Sequence, residues 1–175
     1  VGLDLSAGML TKAREKAESF PKDDIKLTLV QGDMRYFSID RTFGLVIIPF
    51  RGFLSLLSVS DQTSTLAAVK RHLAPHGRLI FNIFVPDIEM LVQQGDLPYH
   101  LRDVTDPETG TRLVLWDQST YDNYNQVIST RLIGEELDEH GQMTRRFYRD
   151  FQLRYAHLWE MHHLLTTCGY VVEGL

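Results

Sequence analysis

Two aspartates stand where a buried strand gives way to the next element. Asp4 closes the apolar run of residues 1–5, and Asp33 follows Gly32 after the next strand. In a parallel α/β sheet both positions lie at the carboxyl edge, where ligands bind. Asp4 could accept from the two vicinal hydroxyls of a ribose, and Asp33 from an adenine amino group, with the Met34 amide donating to the ring. Taken singly, Asp4 is equally typical of a helix-capping acid, and the position of Asp33 favours an ordinary turn aspartate.

The elements that must position these aspartates alternate between strand and helix. Continuous apolar runs are typical of parallel strands covered on both faces, and apolar residues at helical spacing predict helices between them. The first predicted elements are strand 1–5, a helix capped by Ser6 that ends before Pro21, and strands 25–31 and 43–49. A second helix is predicted from a cap at Ser60 to about Leu73, where Pro75 and Gly77 stop it. Strand 78–84 follows, and Pro86 and Asp87 open a short helix. The first helix is expected to bury Met9, Leu10, Ala13, Ala17 and Phe20.

After residue 106 the pattern changes to longer, more polar strands. Residues 112–121, 126–137 and 143–154 mix Thr, Tyr, Arg and Glu with apolar residues, which predicts antiparallel strands with one wet face. Gly141 is expected to form the hairpin turn at 139–142, and residues 107–110 a turn before the first strand. A helix over 156–168 should bury Leu158, Met161, Leu164 and Leu165, and Gly169 should end it before a strand at 170–175. The predicted fold class is α/β, a doubly wound, mostly parallel Rossmann-like sheet with an antiparallel insertion.

Composition narrows the class of partner. The 175 residues suit one domain, and the formal net charge of -5 leaves no electrostatic footprint for nucleic acid. A small molecule or a protein is the expected partner. The single cysteine, Cys168, permits no intramolecular disulfide, which fits a reducing cytoplasm, and neither a signal peptide nor a membrane span is recognisable.

Other side chains have chemistry that packing explains more simply. Arg145, Arg146, Arg149 and Arg154 could bind an acidic acceptor, but such arginines are more often the solvated face of a strand. His157, His162 and His163 lack the i, i+4 spacing of a metal site, so none is predicted. Cys168 precedes a terminating glycine and is expected to be a small buried residue.

Several segments in this order resemble class I S-adenosylmethionine-dependent methyltransferases. Residues 1–14 (VGLDLSAGMLTKAR) resemble the second-strand motif of that family, and Gly32-Asp33-Met34-Arg35 its third-strand motif. Residues 43–50 (FGLVIIPF) and 73–80 (LAPHGRLI) resemble the fourth and fifth strands. Residues 153–155, 164–165 and 168–170 look like the late helix and its exit. The antiparallel insertion is similar to the sheet lid of the small-molecule branch.

The resemblance implies S-adenosylmethionine as cofactor and a small-molecule acceptor. It places Asp4 on the ribose, Leu5 and Met9 along the adenosine, Asp33 and Met34 on the adenine, and Pro49, Phe50 and Arg51 near the methionine part. It implies that the glycine-rich loop precedes Val1 and that its strand lies between the first and third strands here. The whole chain is then one methyltransferase domain, with residues 1–106 and 156–175 as the core and 107–155 as the insertion.

By position, a group of insertion and loop residues is expected to shape the acceptor site, where aromatic rings can contact a sulfonium or an acceptor and an arginine can orient an acid. The group is Phe53, Trp116, Tyr121, Arg154 and Tyr155. For each aromatic ring taken singly, core or lid packing is the commoner role. A homodimer formed through the inserted sheet is the alternative.

Two other functions fit parts of the sequence. A nicotinamide-dependent oxidoreductase also uses an acid at the position of Asp4, but Gly32-Asp33-Met34 and the late insertion disfavour it. A non-catalytic relative that binds a nucleoside, or nothing, is compatible with the same residues. No catalytic base is identifiable from the sequence.

Overall fold

Parallel pairing joins the strands of the N-terminal half, as their continuous apolar runs predict. In the computed structural model, which describes residues 1–20, 26–92, 97–107 and 109–174, β1 (Gly2–Asp4) pairs with β2 (Leu29–Gln31). β3 (Phe43–Ile48) pairs in the same sense with β4 (Leu73–Phe81). The two pairs form separate two-stranded sheets. The predicted second strand is shorter than expected within the described residues, and its first residue, Ile25, lies outside them.

The helices begin at serine caps. α1 (Ala7–Glu18) is capped by Ser6, whose Oγ accepts from the Met9 N–H at 3.3 Å, as predicted. α2 (Val59–His72) is capped by Ser58, and the prediction of Ser60 was wrong. Ser58 has the extended backbone that a cap requires and accepts from the Asp61 N–H at 3.0 Å, whereas Ser60 already lies in the first turn.

Pro75 and Gly77, which were predicted to stop α2, lie instead at an irregularity inside β4. The strand starts at Leu73, directly after α2, and its register against β3 shifts before resuming at Arg78. Gly77 is needed there because a Cβ would lie 2.8 Å from the Phe43 carbonyl oxygen. The strand also ends at Phe81, three residues earlier than predicted.

Four antiparallel strands form the largest sheet. They are β5 (Tyr99–Thr105), β6 (Arg112–Asp122), β7 (Val127–Leu137) and β8 (Met143–Arg154), in that spatial order. The three strands predicted from the sequence match β6 to β8 closely, and Gly141 forms the hairpin turn with φ of +77°. β5 was missed because an exposed edge strand, sequence YHLRDVT, lacks a regular apolar alternation.

Two further helices lie within the described residues. The short α3 (Ile88–Val92) follows Asp87, whose carboxylate accepts from the Met90 N–H at 2.8 Å. α4 (Leu158–Thr167) ends at Gly169, where φ is +76° and the Tyr170 N–H donates to the Leu165 carbonyl at 2.9 Å. No helix in the described ranges is long and apolar enough to cross a membrane.

The strand predicted after α4 is not formed. Residues 170–174 pair with no strand among the described residues, and Leu175 lies outside them. Side-chain contacts hold this segment instead. The Tyr170 hydroxyl donates to the Leu66 carbonyl at 2.7 Å, and Glu173 pairs with Arg78 at 2.9 Å.

The chain divides into two compact units. The α/β unit comprises Val1–Ile48, Ser58–Phe81 and the residues from His162 onward, and the sheet unit comprises Pro49–Leu57 and Asn82–Met161. The buried apolar residues of the first are Leu10, Leu66, Ala68, Val69 and Leu165, and those of the second are Phe53, Leu54, Leu56, Ile128, Tyr155, Ala156 and Met161. Three residues predicted to face inward are exposed, namely Met9, Phe20 and Leu158.

A buried histidine links two segments of the α/β unit. His72 Nε2 accepts from the Ile39 N–H at 3.0 Å, so its other nitrogen, Nδ1, carries the proton and donates to the Ala68 carbonyl at 2.7 Å. The ring also packs on Phe37 with centroids 4.5 Å apart. These contacts fix the loop after β2 to α2.

Candidate functional site

The ends of β1 and β2 meet at one edge of the α/β unit. The register pairs Asp4 with Gln31, and the Gly32 N–H donates to the Asp4 carbonyl at 3.0 Å. Asp4 Oδ1 accepts from the Ser6 N–H at 2.8 Å, while Oδ2 has no hydrogen-bond partner within the described residues. The structure therefore brings Asp4 beside the start of the Gly32–Met34 segment and leaves one carboxylate oxygen for a ligand.

Apolar side chains border this carboxylate along the chain. Leu5, just before α1, is 68% exposed, and Met9, in the first turn of α1, is 59% exposed. Leu10, the next residue of the helix, is buried. Met34 is half-buried in the turn after β2. Exposed apolar side chains next to hydrogen-bonding groups are typical of small-molecule sites.

Asp33 is already engaged by a neighbour. Arg35 donates to both of its oxygens, with Nε 3.0 Å from Oδ1 and Nη2 2.6 Å from Oδ2. The same guanidinium reaches Asp61 Oδ1, in the first turn of α2, at 2.9 Å. These hydrogen bonds lower the pKa of Asp33 and of Asp61 and raise that of Arg35. An adenine amino group would have to use a lone pair of Asp33 that Arg35 leaves open.

A strained corner follows β3. Phe50 and Arg51 are consecutive non-glycine residues in the left-handed region, with φ of 54° and 60°. Phe50 is 96% exposed. The Arg51 N–H donates to Asn82 Oδ1 at 3.1 Å, and its guanidinium lies 5.2 Å from the centre of the Phe84 ring. Such backbone strain is concentrated at functional positions, and here it presents an aromatic ring to solvent.

The acceptor-site residues predicted by position have different surroundings. Phe53 is fully buried in a 3₁₀ turn over Gly52–Ser55. Trp116 and Tyr121 are five residues apart on β6, so their side chains face opposite sides of the sheet. Trp116 Nε1 donates to Glu135 at 3.1 Å, and Arg146 also pairs with this carboxylate. Burial and nearby acids raise the pKa of Tyr121, so its phenol stays a donor.

Arg154 and Tyr155 lie where β8 leads into α4. Arg154 Nη2 is 3.2 Å from Gln126 Oε1 and 3.4 Å from Glu160 Oε1, and its side chain is only 14% exposed. Tyr155 is buried, and its hydroxyl donates to Asn123 Oδ1 at 3.3 Å. Burial raises the pKa of the Tyr155 phenol. Both side chains are thus held by partners within the sheet unit, and their predicted contact with an acceptor stays a prediction.

A separate cavity of about 620 Å³ lies in the α/β unit between α2 and α4. Its lining includes Thr63, Lys70, His163 and Cys168, and none of the predicted site residues. The Lys70 ammonium donates to the Cys168 and Gly169 carbonyls at 3.1 and 2.9 Å, so it caps the end of α4. Within the described residues, no group of three or more His, Cys, Asp or Glu side chains is arranged to hold a metal ion.

Comparisons with known proteins identify the fold of the chain. Residues 1–77 match a family model described as "Methyltransferase domain". The CcbJ methyltransferase of Streptomyces caelestis superposes with a TM-score of 0.77 at 24% identity, covering 96% of this chain and 62% of that one. DesVI of Streptomyces venezuelae gives 0.76 at 23% identity, covering 98% and 66%. The chain has the class I methyltransferase fold.

One curated relative of this fold shares higher local identity. A dTDP-3-amino-3,4,6-trideoxy-alpha-D-glucopyranose N,N-dimethyltransferase of Streptomyces venezuelae is 34% identical over 79 residues, 45% of this chain and 30% of that protein. An S-adenosylmethionine-dependent methyltransferase of Clostridium acetobutylicum superposes with a TM-score of 0.73 at 20% identity, covering 95% and 61%. The chain thus spans less than two thirds of these relatives' own lengths.

Some residues of the site were missed from the sequence. Asn82 supports the strained corner, and Arg35 clasps Asp33, yet neither was given a role. Arg35 stood in the quoted third-strand motif, two residues after Asp33, so an i, i+2 ion pair could have been considered. Asn82 carries no such signal because its partner, Arg51, is distant in sequence.

Proposed function

We propose that the protein transfers a methyl group from S-adenosylmethionine to a small-molecule acceptor. The observation that carries this proposal is that Asp4 and Gly32 meet at one sheet edge, within residues 1–77, which match the methyltransferase domain. The match and the fold disfavour a nicotinamide-dependent oxidoreductase.

The residues at this edge fit the cofactor. Asp4 Oδ2 would accept from the ribose hydroxyls, and Leu5 and Met9 offer exposed apolar surface to the adenosine. Asp33 and Met34 would contact the adenine. Asp33 would do so with its carboxylate already oriented by Arg35.

Another segment is assigned to the methionine part of the cofactor through the family resemblance. Pro49, Phe50 and Arg51 follow β3, and the exposed Phe50 ring suits a cationic ligand by cation–π attraction, about 0.5–2 kcal/mol in other proteins.

The chemistry asks for positioning more than for reactive side chains. The sulfonium of the bound cofactor supplies an electrophilic methyl group. The protein must hold the acceptor in line with that methyl, keep water away and remove a proton where the acceptor carries one. In the sheet unit, Tyr121 and Tyr155 are the phenols proposed to line the acceptor, with Phe53, Trp116 and Arg154 supporting them.

A small acceptor is supported by the named relatives. The curated relative acts on a nucleotide-linked amino sugar, and solved structures with the same fold are named as a sugar N-methyltransferase and an amino pentose methyltransferase. The negative net charge agrees with a partner other than nucleic acid. We also propose a cytoplasmic location, and a homodimer remains an alternative role for the sheet that sedimentation would test.

Calorimetry on the complete native polypeptide tests the cofactor site. Asp4→Ala should weaken binding of S-adenosylhomocysteine by about 1.5–3 kcal/mol, the scale of hydrogen bonds to a charged group. Asp40→Ala, which removes an exposed acid of the same unit, is the matched control and should leave affinity unchanged. Unaltered affinity in a folded Asp4→Ala variant would refute the assignment. Binding of NAD in place of S-adenosylhomocysteine, or of neither, would refute the proposed function.

A further inference from the structure

One face of the antiparallel sheet gathers polar side chains that the proposed function has not used. Asp117, Ser119 and Tyr121 alternate along β6 and so share a face. Tyr99 of β5 lies opposite Asp117, and Thr130 of β7 lies opposite Ser119. Residues directly opposite each other on neighbouring strands have Cβ atoms about 5 Å apart, which brings Tyr99 to Asp117 and Thr130 to Ser119. Tyr121 lies beyond Ser119 on the same face and completes a cluster of five side chains. We refer to it as the Asp117 cluster.

A chain of hydroxyl groups orients the carboxylate of this cluster. Ser119 Oγ donates to Asp117 Oδ1 at 2.5 Å. Because a serine hydroxyl has only one proton, its 2.7 Å bond to Thr130 must have the Thr130 hydroxyl as the donor. Thr130 is only 7% exposed, so the chain is anchored in the sheet. It fixes Oδ1, and within the described residues Oδ2 has no hydrogen-bond partner.

The cluster is also negatively charged. Asp117 and Asp87, which caps α3, both act on the Tyr121 phenol and help burial to raise its pKa. Neither acid forms an ion pair with a described residue. The pKa of Tyr99 is raised by burial and by Asp117, so both phenols remain neutral donors. A half-buried carboxylate that forms no ion pair among the described residues, with the Tyr99 ring opposite it on β5, suits a cationic ligand.

We propose that Asp117 binds the acceptor through a primary or secondary amino group, which arrives as an ammonium ion, and accepts its proton. This inference rests on the proposed function, whose acceptor atom it names. Oδ2 takes one N–H proton, and the freed nitrogen lone pair forms the new N–CH₃ bond. The methyl–sulfur bond breaks and its electron pair stays on sulfur, which leaves S-adenosylhomocysteine and a methylated ammonium. The proton on Asp117 then passes to water.

The same geometry disfavours an alcohol. An aspartate carboxylate is far too weak a base to ionise a hydroxyl, whereas an ammonium lies much closer to it in acidity. An ammonium also gains an ion pair with Asp117 and cation–π contact with Tyr99 that a neutral hydroxyl lacks. The cluster therefore selects nitrogen over oxygen.

Binding measurements on the complete native polypeptide, saturated with S-adenosylhomocysteine, test the proposal without turnover. The probes are a set of deoxyamino sugars, free and linked to dTDP, each with its hydroxyl counterpart. Asp117→Asn keeps the shape but removes the charge, and should weaken binding of the amines about 10- to 100-fold, as expected for charged hydrogen bonds. Asp150→Asn, on the opposite face of the sheet, is the matched control and should bind the amines as the wild type does. Ser119→Ala, which frees the carboxylate, should have a smaller effect in the same direction.

The outcomes separate the two proposals. If the wild type does not bind S-adenosylhomocysteine, the proposed function itself is refuted. Normal cofactor binding together with equal amine affinity of the wild type and Asp117→Asn would overturn only the role of Asp117. Preference for the hydroxyl counterparts, or binding of none of the amines, would also overturn it. If Asp117→Asn does not fold, unchanged amine affinity in Ser119→Ala has the same consequence.

Discussion

Two polar side chains, one in each unit of the chain, are held in different ways. In the α/β unit, His72 is 6% exposed, and each of its ring nitrogens has a partner on a different segment. On the sheet, Arg131 and Asp150 form a 2.8 Å ion pair in which both side chains are more than half exposed. A buried group that loses its partner has no water to replace it, whereas an exposed pair is already screened. Short contact distances alone therefore do not indicate where stability lies.

The largest expected effect of this contrast is at His72. His72→Leu keeps the apolar volume but leaves the Ile39 N–H without its acceptor, and we expect it to lower the free energy of unfolding by about 1–3 kcal/mol. Denaturant unfolding measures the change. His163→Leu, at an exposed position of α4, is the control and should change it little. Equal effects of the two variants would break the comparison.

An intermediate effect is expected at Arg35, and it should depend on pH. Arg35 lowers the pKa of Asp33 and Asp61 in the folded state below their ordinary 3.8, so its contribution is present above that pH and is lost as the pH falls through the folded-state values. Arg35→Gln should therefore be less stable than the wild type at pH 7. The stabilities of the two proteins should converge as the pH falls below 3.8 through the folded-state values of the two carboxyls. A difference that persists undiminished in acid would show that the guanidinium acts by packing alone.

The smallest effect is expected at Arg131. Arg131→Gln removes the ion pair with Asp150 but exposes nothing that was buried, and we expect no measurable change in unfolding at physiological salt. Thermal unfolding at low and high salt is sufficient to check this. A clear loss that salt abolishes would mean that the sheet's surface charges do stabilise it, and the contrast with His72 would have to be narrowed.

Sequence reasoning succeeded where the signal was local. The extents of β6 to β8, the Ser6 cap and the turn at Gly141 all follow from nearby residue types, and each is confirmed. The sequence predicted Ser60 as the cap of α2, and the backbone conformation shows that Ser58 takes this place. Strand β5 was missed because its pairing with β6, more than its own composition, makes it a strand.

The candidate site shows the same division. Asp4 and the Gly32–Met34 segment were predicted to lie at a common edge because parallel strands end there, and the Gly32 N–H does contact the Asp4 carbonyl. The shared contact of Asp4, Asp33 and Met34 with a cofactor stays a prediction. The partners that decide what a carboxylate can still do were not predictable. Asp117 is oriented by Ser119 because the antiparallel register sets Ser119 against Thr130, and no local pattern encodes that register.

The corner at Phe50 and Arg51 has a practical consequence for engineering. Left-handed backbone costs a non-glycine residue roughly 1–2 kcal/mol, so glycine at either position would relieve strain. A selection for expression or heat resistance alone would therefore favour glycine here, as would a design algorithm that scores only the energy of the folded state. Glycine at position 50 would remove the exposed aromatic ring, and glycine at position 51 would remove the guanidinium that lies over Phe84. Under the role proposed for Phe50 and Arg51, stabilised variants changed at this corner would face a stability–activity trade-off.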